Sequence, residues 1–131
     1  MTFGETVRQW RVARKKNQRE LAAEVGIDFT YLSKLENGRM PAPSESTIRK
    51  IAEVLGHADE VDTLLLLADK VPDDVKPIIT SSREAPALLR AINGLSDSEV
   101  RLLIKRAEQL QRRAATAADA DAQTEGNEGK K

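Results

Sequence analysis

The stretch Gln18-Arg19-Glu20-Leu21-Ala22-Ala23-Glu24-Val25-Gly26-Ile27-Asp28-Phe29-Thr30-Tyr31-Leu32-Ser33-Lys34-Leu35-Glu36-Asn37-Gly38-Arg39 decides how this chain is read. Asn17 and Glu20, three positions apart, resemble a capping box, so a helix begins at Gln18. It carries Leu21, Ala22 and Val25 and stops at Gly26, the residue type best able to hold a left-handed backbone angle. Asp28 suits the N-cap of a further helix that turns Leu32 and Leu35 inward and ends at Asn37-Gly38. Two short helices joined at a glycine, with a small residue (Ala22) where they must approach closely, predict a helix-turn-helix. Two ordinary amphipathic helices would account for the leucines. They would not account for an alanine four before the glycine together with an isoleucine right after it.

Helical spacing extends to both sides. Phe3, Val7, Trp10 and Arg14 recur at intervals of three and four and predict a first helix ending near Lys16. Met40-Pro41-Ala42-Pro43 reads as a turn, because two prolines fix backbone angles and remove donors. Ser44 or Ser46 then caps a fourth helix through Ile48, Ile51, Ala52 and Leu55 to Gly56. A fifth, from about Asp59 to Lys70, carries Val61, Leu64, Leu65 and Ala68. Trp10 reads as a core residue, and His57 as a loop residue without a special role. Strand signals are scarce, since aromatic content is 3% and β-branched residues rarely alternate.

Past Pro72 the pattern weakens. Asp73 to Thr80 reads as a short helical turn interrupted by Pro77. Ser81 with Glu84 is a possible capping box before a helix through Ala87 to Ile92, and Asn93-Gly94 is a stop. Ser96 with Glu99 is the clearest capping box in the chain. The helix after it aligns Val100, Leu103, Ile104, Ala107 and Leu110 on one stripe, with Arg101, Lys105, Arg106 and Arg112 off it. From Ala114 the sequence decays into alanine and polar residues, and 116–131 is expected to be a disordered tail.

Composition narrows the chemistry. With 131 residues the chain forms one domain and a small appendage. The absence of cysteine excludes disulfides, zinc-thiolate sites and thiol catalysis, and a single histidine leaves no His-rich metal site. Neither a Ser/His/Asp set nor a glycine-rich phosphate loop is present, so no enzyme and no cofactor is expected. The longest apolar run, Leu64 to Ala68, is far short of a membrane span, and the first residues lack the pattern of a secretory signal. A net charge of zero conceals a gradient: residues 1–58 hold ten Lys/Arg against seven Asp/Glu, and residues 59–131 eleven against fourteen. Arg8, Arg11, Arg14, Lys15, Lys16 and Arg19 lie in a stretch with no acid, which fits either an anionic partner or a solvated charged face.

Gln18-Arg19-Glu20-Leu21-Ala22, Val25-Gly26-Ile27 and Tyr31-Leu32-Ser33-Lys34-Leu35-Glu36-Asn37-Gly38-Arg39 closely resemble the Cro/repressor-like (XRE) helix-turn-helix family, over about residues 3–70. The resemblance implies a lambda-repressor-like five-helix domain whose third helix lies in the major groove while the second crosses the backbone. It implies base contacts from Phe29, Thr30, Ser33 and Lys34, although Phe29 also suits a packing role. Gln18 matches a glutamine that holds a phosphate, and Tyr31, Asn37 and Arg39, flanking the recognition helix, are further phosphate candidates. The resemblance also pairs Arg11 with Glu36, a structural link between helices 1 and 3.

The fold expected is therefore all-α: a helix-turn-helix domain over 1–71, a helical region over 73–115 and the tail over 116–131. The function expected is sequence-specific binding of double-stranded DNA by a dimeric transcriptional regulator, a repressor at an inverted-repeat operator, cytoplasmic, nucleoid-associated, bacterial or phage-encoded. Two copies would read half-sites about 34 Å apart. The stripe Val100, Leu103, Ile104, Ala107 and Leu110 suits the dimer interface, and equally packing onto the N-terminal domain. The alternative is a protein-interaction adaptor or antitoxin that docks a partner protein through 73–115 and binds DNA for autoregulation.

Overall fold

The computed structural model describes residues 1–128, with side chains described through residue 122. These residues are helical without any strand, and fall into two units, Met1–Ser82 and Arg83–Lys131. The division comes later than Pro72, where the sequence pattern weakens. Asp73 is tied back to the first unit by its backbone N–H, which donates to the Glu45 carboxylate at 2.9 Å.

The first unit comprises α1 (Phe3–Ala13), α2 (Gln18–Val25), α3 (Phe29–Glu36), α4 (Glu45–Val54), a 3₁₀ turn (Ala58–Glu60), α5 (Val61–Leu67) and the short α6 (Lys76–Ile79). The fifth predicted helix thus starts as a 3₁₀ turn and ends three residues early, at Leu67. Its apolar stripes meet in one core of Phe3, Val7, Leu21, Ala22, Leu32, Ile48, Ile51, Ala52, Leu55, Val61, Leu64 and Leu65. Burying each leucine or isoleucine stabilises the fold by about 1.5–3 kcal/mol before entropy is counted. Several of these positions recur at helical spacing in the sequence, which is why the core could be read there.

The caps follow the chemistry of their residues. The Asn17 side chain accepts from the Glu20 N–H at 2.8 Å, and the Asp28 side chain from the Thr30 N–H at 2.6 Å. A full capping box stands at Thr2 and Glu5, where each side chain accepts the other's backbone N–H, at 3.1 and 3.0 Å. The spacing of Thr2 and Glu5 carries the same signal as the other boxes and was not singled out in the sequence. Ser44 is the N-cap of α4, but its hydroxyl meets those of Ser46 and Thr47 instead of a helix amide.

Trp10 is half-buried against the core and lies parallel to His57, with ring centroids 3.9 Å apart and planes 6° from coplanar. His57 also hydrogen-bonds Glu60 through Nδ1. The turn at Gly56, with φ of +79°, brings the imidazole under the indole. That corrects the expectation that His57 has no special role.

The second unit contains α7 (Glu84–Ala91) and α8 (Asp97–Glu128). The predicted box at Ser81 and Glu84 does not form: the Ser81 hydroxyl donates to the Ile78 carbonyl at 2.7 Å, and Arg83 stands at the N-cap in helical conformation. Ser96 and Glu99 do form theirs, with Ser96 N–H to Glu99 Oε1 at 2.9 Å and Glu99 N–H to Ser96 Oγ at 3.2 Å. Helix α8 continues to Glu128, through the segment whose composition predicts disorder. Alanines at 114, 115, 117, 118, 120 and 122 supply the strongest intrinsic helix preference there. Residues 129–131 of the predicted tail lie outside the described residues.

Candidate nucleic-acid interface

Helices α2 and α3 meet at Gly26, which is left-handed at φ +87°. The N–H groups of Gly26 and Ile27 both donate to the Ala22 carbonyl, at 2.8 and 3.0 Å, closing the end of α2. Ala22 is 2% exposed, so its small side chain is what the close approach requires. From this corner α3 turns Leu32 and Leu35 into the first unit, and its remaining face is left for solvent. Phe29 is 39% exposed, Thr30 and Lys34 are exposed, and Tyr31 and Ser33 are half-buried.

The C-terminal end of α3 is held by a buried ion pair. Arg11 Nε lies 2.8 Å from Glu36 Oε2, and Arg11 Nη2 donates to Glu36 Oε1 at 3.0 Å, the two-pronged geometry of a guanidinium on a carboxylate. Arg11 Nη1 also donates to the Lys16 carbonyl at 2.8 Å. The two side chains are 11% and 1% exposed. Gln18 joins them, its Nε2 donating to Glu36 Oε1 at 3.1 Å. One of the two amide hydrogens of Gln18 is thereby directed inward, and the residue is fixed at the first position of α2.

Around this network lies a concavity lined by Arg8, Arg11, Asn17, Gln18, Arg19, Phe29, Ser33, Glu36 and Asn37. Of the residues singled out from sequence, it gathers Phe29, Ser33, Gln18 and Asn37 around the Arg11–Glu36 pair. Thr30 and Lys34 lie outside it, each one residue further round α3 from Phe29 and Ser33. Tyr31 and Arg39 are also outside the lining; the Arg39 N–H donates to the Lys34 carbonyl at 2.9 Å, just past the left-handed Gly38.

Arg8 and Arg19 belong to the concavity and were not singled out individually. Their signal was the acid-free basic stretch, which does not say which of its cations share a face. The structure separates them. Lys16 is paired with Glu24 at 2.8 Å, Lys15 occupies a left-handed turn at φ +56°, and the Arg14 guanidinium lies against Gly56. The Arg19 guanidinium carbon stands 5.0 Å from the centre of the Phe29 ring.

Sequence reading also missed Gly4. A Cβ there would come within 2.4 Å of the Leu35 carbonyl oxygen and 2.6 Å of the Glu36 one, so only glycine lets α1 rest on the end of α3. The stripe on α8 remains open: Leu103, Ile104 and Leu110 are 43–49% exposed, Ala107 is exposed and Val100 half-buried. Among the described residues no acidic or histidine cluster could hold a metal ion, and no helix is long and apolar enough to cross a membrane.

A helix-turn-helix family model matches residues 7–61. The Bacillus subtilis (strain 168) protein named "Uncharacterized HTH-type transcriptional regulator RghRB" is 43% identical over 53 residues, which make up 40% of this chain and 38% of that protein. The HTH-type transcriptional repressor RghR of the same organism is 39% identical over 54 residues, 41% of this chain and 40% of that one. The matched region spans about two fifths of the length of these curated relatives. A solved chain titled SinR protein/SinI protein complex superposes with a TM-score of 0.45 at 24% identity, covering 85% of this chain and 99% of that one. Residues 7–61 of this chain thus match a helix-turn-helix family model, the family type that the Cro/repressor-like (XRE) resemblance of the sequence implies.

Proposed function

We propose that the chain is a transcriptional regulator that binds double-stranded DNA sequence-specifically as a dimer and represses from an inverted-repeat operator, in the cytoplasm where that DNA lies. The observation that carries this reading is the solvent-facing edge of α3, from Phe29 to Lys34, standing beside a concavity that holds Arg8 and Arg19. An α-helix fits the major groove, where its outward side chains meet base edges. Lys34 is suited to guanine O6 and N7, Thr30 and Ser33 to hydrogen bonds with bases, and Phe29 to a thymine methyl. Gln18, Tyr31, Asn37 and Arg39 take phosphates around them, with the amide-rich start of α2 adding favourable field. The names of the two curated relatives, a transcriptional regulator and a transcriptional repressor, support the same role. They favour regulation over enzymatic activity.

A single domain of this kind covers about 600–1,000 Å² of DNA-facing surface, too little for tight binding alone. Dimerisation through Val100, Leu103, Ile104, Ala107 and Leu110 would supply the second half-site. A second reading, docking of a partner protein on 73–115, is favoured by the exposure of Leu88 and Leu102, at 60% and 65%. Selection of bound duplexes from a random pool, with the mass of the complex measured, tests the proposal. An inverted repeat holding two chains is expected; a purified chain that ignores DNA even in dilute salt overturns it in favour of the partner-docking reading. Within the selected site, Lys34→Ala relaxes one base position at a cost of about 1–3 kcal/mol, while Gln18→Ala weakens all sequences alike. A changed preference in Gln18→Ala would reverse that division of contacts.

A further inference from the structure

Phe29 opens α3 with an exposed ring that can neither donate nor accept an ordinary hydrogen bond. Such a ring is costly to leave loose, because a mobile aromatic at the start of a recognition helix blurs whatever it touches. Here one face of it is covered. Arg19, the second residue of α2, stands with its guanidinium carbon 5.0 Å from the ring centre, within the distance at which a cation is held by the negative face of an aromatic. A guanidinium is also planar and weakly hydrated, so it covers a ring as an ammonium cannot. Both residues line the concavity beside α3.

We propose that Arg19 is a specificity-positioning residue: by covering one face of Phe29 it holds the ring at the mouth of the concavity, where the ring receives a thymine methyl group. The inference rests on the DNA-binding reading above and adds to it the residue that makes an apolar contact selective. Arg19 acts on the base through Phe29, so its signature is dependence on the 5-methyl group and not on charge.

The test uses the full chain and the duplex recovered by random-pool selection, with each thymine replaced in turn by uracil, which differs only by that methyl. The native protein loses about fourfold in affinity at one position of each half-site, the worth of one buried methyl group. Phe29→Ala removes this dependence. Arg19→Lys, which keeps the charge, removes most of it while leaving the slope of affinity against salt unchanged. Both side chains are exposed, so both variants should keep the native melting temperature, which is measured alongside. The inference is overturned if Arg19→Lys keeps the full uracil penalty, or if Arg19→Gln lowers the salt slope by about one while the penalty persists, the behaviour of a simple phosphate contact. It is also overturned, with the DNA-binding reading intact, if the native protein selects a duplex but is indifferent to the methyl at every position. A chain that selects no duplex removes both.

Discussion

Glu36 is almost wholly buried and accepts from Arg11 and Gln18, so one carboxylate fixes the end of α3, the floor of the concavity and the start of α2. Truncating it would leave the Arg11 guanidinium buried without its counter-charge. Glu36→Ala should therefore lower stability by about 3–5 kcal/mol, read from the urea midpoint. A variant that unfolds with the native protein would show that the pair is not structural. Gly4→Ala acts on the same corner from the other side, since the added methyl meets two backbone carbonyls that no side-chain rotation can move. A loss of about 1–3 kcal/mol is expected, with the same measurement deciding it. These two residues differ in how legible they were. The partnership of Arg11 and Glu36 could be anticipated because the family resemblance supplied it. Gly4 could not, because its reason is an approach between segments more than thirty residues apart in sequence, and glycine near a chain start carries no local signal.

At the scale of the element, the reading depended on whether a segment's order is decided locally. Asn17, Asp28 and Ser96 have their cap partners two or three residues away, and all three cap their helices; Ser96 forms the full box with Glu99, while at Asn17 the side chain accepts the Glu20 N–H. At Ser81 the helix starts later than the spacing suggests: Arg83 holds the N-cap position, and the Ser81 hydroxyl donates to the Ile78 carbonyl behind it. Likewise the basic stretch 8–19 announced positive charge, but the separation of Arg8 and Arg19 from Lys16 depends on how α1 ends and on Glu24 one helix later. The box that opens α8 also has a pH signature. The Ser96 backbone N–H, aided by its hydroxyl, holds the Glu99 carboxyl below its ordinary value. A carboxylate favoured in this way contributes stability above its unfolded value, and that contribution is lost as pH falls through the folded one. The first turn of α8 should thus lose amide protection in acid, and Glu99→Gln, which removes the titrating carboxyl, should abolish the pH dependence, while Ser96→Ala, which keeps the backbone N–H, should only reduce it. Protection at Ser96 that is flat across the carboxylate range would refute the assignment.

At the scale of the molecule, the two units divide different tasks. The first closes its apolar stripes on themselves. The second leaves Leu89, Leu103, Ile104 and Leu110 about half exposed, at 43–49%. On the dimeric reading, Ile104→Glu should yield monomers by sedimentation and lower affinity for an inverted repeat by about 100-fold, since the second half-site is no longer tethered. Unchanged mass and affinity would exclude this stripe as the seam. The sequence made the stripe plain and left its occupant undecided, because spacing says which residues share a face but not what that face meets.

The pairing of Trp10 with His57 has a practical consequence. The chain has one tryptophan and one tyrosine, Trp10 and Tyr31, and both lie in the first unit. Ultraviolet emission therefore watches that unit alone, through an indole whose neighbour is an ionisable ring. Circular dichroism watches the helices of both. Melting the chain once with both optical signals, and comparing the two midpoints, reports whether the units come apart together or in turn.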